Sequence, residues 1–154
     1  MENNMNKSKR AEEIVNYARE LRRDCGTGDP YKIAKDFGFY VVESESAYPG
    51  FTAQIVGIQG YPKIISINRA YTESSRRVLC AHELGHALLH GERTCNHFAG
   101  NSTVAFDDEE YEANLFAVAF LTDEHINDRI AVPIEKMNNY LLKTILDHNI
   151  RKNE

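Results

Sequence analysis

VLCAHELGHALLHGE, residues 78–92, decides how this chain is read. Its apolar residues suit a helix sinking into a core, yet it carries His82, Glu83 and His86 in mid-span. Such groups are costly to bury without partners. His82 and His86 are four positions apart, so on a helix they project from one face, a turn from each other. Two imidazoles so placed converge on one zinc ion, with Zn–N of about 2.0–2.1 Å. Glu83 lies about 100° further round, where it reaches a water on the metal more readily than the metal itself. The pattern supplies two ligands and a general base from little more than one turn. Gly85 in mid-helix costs about 1 kcal/mol against alanine, which points to something packed close against it.

The rest of the 154 residues suits one soluble domain spanning 1–154, with 42% hydrophobic and 27% charged residues. A net charge of -5 argues against a general nucleic-acid binder, so no direct nucleic-acid contact is expected. Lys7, Lys9, Arg10, Arg22 and Arg23 cluster near the start and read as a solvated helix face. Cys25, Cys80 and Cys95 form no disulfide framework, and no signal-peptide pattern or membrane-length apolar run occurs. The cytoplasm is the expected compartment.

Working outward, Ala11, Ile14, Val15, Ala18 and Leu21 predict a helix over about 8–24. Asp29-Pro30 starts a short helix that Gly38 closes. FYVVES, FTAQIVGI and KIISIN read as strands. Thr72 caps the histidine helix, with Glu73 in its first turn and Gly91 beyond its end. Residues 92–106 lack periodicity and read as a loop that would serve as a lid. DEEYEANLFAVAFLTDE predicts a buried helix, and about 133–147 a last one. The order implies an α+β domain, a small mixed or antiparallel sheet packed on helices.

A catalytic zinc needs a third protein ligand and an open position. His90 lies a further turn beyond His86 and reads as an exposed or capping histidine. Cys95 and His97 have no partner spacing. Glu112 is the last carboxylate before the apolar run ANLFAVAFL and reaches deepest, with Asp108 and Glu109 on its face as supports for a ligand histidine. Glu109 and Glu110 also read as acids decorating a helix N-terminus. Glu109 stays open as an alternative third ligand. Two histidines and a glutamate suit zinc.

AHELGHALLHGE followed by EYEANLFAVAFL resembles the ImmA/IrrE-type metallopeptidases, a gluzincin-like group of bacteria and their mobile elements. The likeness extends to DPYKIAKDFGFYV and IISINRAYTESSRRVLCAHELGH and covers about residues 29–122. It implies a zincin-like domain in which His82, His86 and Glu112 bind Zn2+ and Glu83 is the base. It also implies site-specific cleavage of a helix-turn-helix repressor, relieving repression of a mobile element or a stress response. KIISIN, as the family's edge strand, would align an extended substrate by backbone pairing. The chain departs from the family where an LLMP-like sequence is usual and FLTD stands. A non-catalytic zinc module that docks on a repressor, or acts in a toxin–antitoxin pair, is the rival reading; Glu83 favours the enzyme.

Overall fold

The computed structural model describes residues 2–45, 50–91, 107–122, 126 and 132–154. Helix α1 spans Glu2–Cys25 and α2 spans Pro30–Asp36. Strands β1 (Tyr40–Ser44), β2 (Ala53–Val56) and β3 (Ile64–Asn68) follow. Helix α3 is Glu73–His90 and α4 is Asp107–Leu121. A single 3-10 turn at Ile134–Lys136 precedes α5, Asn139–His148. This is the expected α+β class with a small mixed sheet.

Local chemistry sets most boundaries. The Asp29 side chain accepts from Tyr31 N–H ahead of Pro30, and Gly38 takes φ +83° just past α2. Thr72 accepts from Ser75 N–H at the start of α3, and Gly91 ends the helix as expected. The Lys63 ammonium donates to Gly91 C=O at 2.7 Å, satisfying a carbonyl at the helix's C-terminal end. Helix α1 begins earlier than its apolar periodicity suggests, because periodicity marks only the packed turns. Residues 4–10 are exposed and polar apart from Met5, which is 69% exposed. The final helical stretch is broken: the Ile134–Lys136 turn ends before Asn138 caps α5 by accepting from Leu141 N–H.

The sheet order is β1-β3-β2, with β1 parallel and β2 antiparallel to β3. Ala53 pairs with Ile67 and Ile55 with Ile65, and all four are buried. They form one apolar face, which the sheet turns to α3. The order corrects one expectation. KIISIN is the central strand, its backbone groups paired on both sides, so it has no edge to offer a substrate. The outer edges among the described strands belong to β1 and β2. The resemblance implied an edge, but the β2–β3 hairpin folds back and β1 takes the other flank.

Helix α4 is the centre of the helical layer, packed against α1, α3 and α5. Ala113 through Leu121 are all buried, with Phe116 and Phe120 fully enclosed and stacked at 5.8 Å between centroids. Each such side chain contributes about 1.5–3 kcal/mol on burial. The α3–α4 contact is close because residue 85 is glycine. A Cβ there would meet Phe116 Cδ1 at 3.1 Å, Ala113 O at 3.2 Å and Ala113 Cα at 3.3 Å. The mid-helix glycine is therefore a packing requirement, as its cost implied.

Candidate metal centre

Helices α3 and α4 meet at the polar stretch of each. His82 and His86 project from one face of α3, rings edge-on at 4.8 Å between centroids. His86 is 1% exposed and Glu83, on the next face round, 4%. The carboxylate that meets the two imidazoles comes from Glu110. Its Oε1 lies 2.9 Å from His86 Nε2 and its Oε2 3.3 Å from His82 Nε2. His82, His86 and Glu110 each offer a ligand atom, all within 4.8 Å of one another.

Glu112, the expected third ligand, is elsewhere. It lies on another face of α4, two residues and about 200° round from Glu110. There its Oε1 meets His90 Nε2 at 3.0 Å, and its Oε2 accepts from Arg10 Nε at 2.9 Å. Glu109 is half-buried and Asp108 exposed, and neither is in the ligand cluster. The structure thus joins His82 and His86 as the sequence implied, but with Glu110 in place of Glu112. His90 also departs from expectation. It is neither exposed nor a helix cap, with a side chain 5% exposed and its Nδ1 3.1 Å from His86 Nδ1. Arg10, placed on a solvated face by its neighbours' charge, reaches across to α4. Cys95, His97 and the loop 92–106 lie outside the described residues.

The residue that marks the face turned to the histidines is Asn114, the one polar side chain in ANLFAVAFL. It is 5% exposed and hydrogen-bonds both His82 and Asn139, the latter at 2.8 Å. Glu110 is four residues before it, hence on the same face. Depth along the helix pointed to Glu112; the polar stripe points to Glu110.

The electrostatics follow. Burial acts to lower the His82 pKa, but the hydrogen bond to Glu110, the charges of Glu83 and Glu110, and the Asn114 contact together raise it. Burial acts to raise the Glu112 pKa, yet His90 and Arg10 hold it down at about 2. The centre is therefore rich in carboxylates beside basic imidazoles, the environment that attracts a divalent cation.

The model of the IrrE N-terminal-like domain, Peptidase_M78, matches residues 34–141. The chain belongs to this family. The IrrE N-terminal-like domain spans α3 and α4 and so contains all three members of the ligand cluster. Membership gives the protein a metallopeptidase-like role, consistent with the His/Glu group. A similar protein is the uncharacterized immunity region protein 2 of Bacillus phage phi105, 30% identical over 111 residues. The aligned part covers 70% of this chain and 67% of the phage protein. No solved structure matches the chain. No helix among the described residues is long and apolar enough to cross a membrane.

Proposed function

We propose that this chain is a zinc-dependent peptidase that cleaves a helix-turn-helix repressor at a specific site, relieving repression of a mobile element or a stress response. The observation that carries it is the Glu110 carboxylate placed against Nε2 of both His82 and His86. The donor set fits zinc. Ligands about 2.0–2.1 Å from a tetrahedral ion stand about 3.3 Å apart, and the Glu110 oxygens lie 2.9 and 3.3 Å from the imidazole nitrogens. The three ligand atoms lie within 4.8 Å of one another, so a short rearrangement of the side chains would bring them to coordination distance.

His82, His86 and Glu110 would hold the ion, leaving a fourth position open. When bound, zinc supplies the Lewis acidity that polarises a carbonyl and acidifies water. Glu83 accepts the proton of the attacking water and returns it to the leaving amine. Asn114, hydrogen-bonded to His82, helps hold that ring in place beside Glu110. An extended substrate would pair with an outer edge of β1 or β2, since β3 is enclosed. The immunity-region name of the phage relative supports the repressor side of this reading. All 154 residues act as one domain in the cytoplasm on a protein substrate, with no membrane or nucleic-acid contact of their own.

The test is co-incubation with a candidate repressor, comparing wild type with Glu83→Gln. The expected outcome is cleavage by wild type and a loss of about 100-fold or more in rate with Glu83→Gln. Equal relief of repression by both forms, without cleavage, would replace the enzyme with a docking module.

A further inference from the structure

Beyond its Glu110 contact, His86 makes a second contact that the proposed chemistry does not use. Its Nδ1 faces His90 Nδ1 at 3.1 Å, and His90 Nε2 faces Glu112 Oε1 at 3.0 Å. Arg10 grips that carboxylate as a fork, Nε to Oε2 at 2.9 Å and Nη2 to Oε1 at 3.3 Å. Four side chains from three helices thus form one unbroken line, from the 46% exposed Arg10 to the 1% exposed His86.

The protons on this line can take one order only when His86 serves a metal. Nε2 must then present a lone pair, so the His86 proton sits on Nδ1 and donates to His90 Nδ1. His90, accepting there, carries its own proton on Nε2 and donates to Glu112. Glu112 is an acceptor at both oxygens, and Arg10 is a donor throughout. Every ring nitrogen and carboxylate oxygen on the line has a partner in that order, and the tautomer of each imidazole is set by its neighbour.

We propose that Arg10, Glu112 and His90 are positioning residues that fix the ring and tautomer of the metal ligand His86, making α1 a working part of the centre. This rests on the zinc reading above. It gives Glu112 and His90 a function without coordination. It also extends the site beyond the family-matched residues 34–141, because Arg10 precedes them. A metal-binding histidine whose other nitrogen is held in this way binds more tightly, and losing such a partner typically lowers affinity about 10- to 100-fold.

Two measurements test it. In zinc-loaded wild type labelled with 15N at histidine, long-range 1H–15N correlation should show His90 protonated on Nε2 and bare on Nδ1. Chelator competition should show zinc binding weakened about 10- to 100-fold in Glu112→Ala and in His90→Phe. Glu112→Gln should recover most of the loss, because its amide oxygen still accepts from His90. Arg10→Ala should fall between Glu112→Gln and Glu112→Ala. A His90 proton on Nδ1 in the zinc-loaded wild type overturns the proposal, and that reading needs no variant to fold. Unchanged zinc affinity in Glu112→Ala overturns the relay alone. No zinc bound by wild type overturns the metal centre and the relay together.

Discussion

Replacing Gly85 with alanine sets two known effects of opposite sign against each other. Alanine in mid-helix gains about 1 kcal/mol over glycine through backbone entropy. Against this, the new methyl would stand 3.1–3.3 Å from three atoms of α4, each tighter than ordinary contact. One of them, Phe116 Cδ1, belongs to a side chain that is itself fully buried and stacked. The other two are the backbone O and Cα of Ala113, which move only if α4 moves. Overpacking of this kind costs about 1–3 kcal/mol. The net expectation is destabilisation of up to about 2 kcal/mol. At a urea slope of about 2 kcal/mol/M, that is a midpoint lowered by up to about 1 M. Because Ala113 is one turn from Glu110, displacing α4 by a few tenths of an ångström also draws that carboxylate from His82 and His86. Zinc affinity should therefore fall with stability. Urea unfolding of metal-free protein and chelator competition on the loaded protein measure the two effects separately. A Gly85→Ala variant that is more stable by about 1 kcal/mol, with unchanged zinc affinity, would refute the close α3–α4 approach.

Two further predictions concern groups away from the candidate metal centre. Burial and a 2.7 Å hydrogen bond to Glu43, which Arg76 also pairs, raise the Tyr31 pKa. The unfolded chain releases that proton near pH 10 and the folded chain only above it. Stability from Tyr31 is thus complete below about pH 10 and falls as pH rises beyond it. Tyr31→Phe should flatten the alkaline fall in unfolding midpoint between about pH 9 and 11; an identical pH profile would contradict the buried hydrogen bond. Burial likewise pushes the Cys80 thiol well above its usual range. Mass mapping after iodoacetamide treatment should find Cys80 unmodified in the native protein and modified in urea, and rapid native labelling would refute its burial.

The residues that made the fold legible act locally. Asp29-Pro30, Thr72 and Gly91 fix helix ends through their own side chains or backbone freedom, so their meaning survives without tertiary information. His82, Glu83 and His86 are legible for the same reason: one helix alone sets their spacing. The carboxylate that meets the two histidines is different in kind. Choosing among Glu109, Glu110 and Glu112 requires knowing which face of α4 meets α3, and a helix apolar nearly all round hides its orientation. Asn114 carried that information as a lone polar residue in the run. Strand order was hidden similarly, since KIISIN looks the same whether flanked on one side or two. Arg10 was masked by its basic neighbours, because charge clustering describes a surface and not a single long-range partner.

His82, His86 and Glu110 are proposed to form the metal centre, with Glu112 supporting it from outside. Elemental analysis of wild type, Glu110→Ala and Glu112→Ala, each dialysed against the same weak chelator, tests it most directly. About one zinc per chain is predicted for wild type, almost none for Glu110→Ala, and zinc held by Glu112→Ala until the chelator is strengthened. Zinc retained by Glu110→Ala and lost from Glu112→Ala would contradict the account.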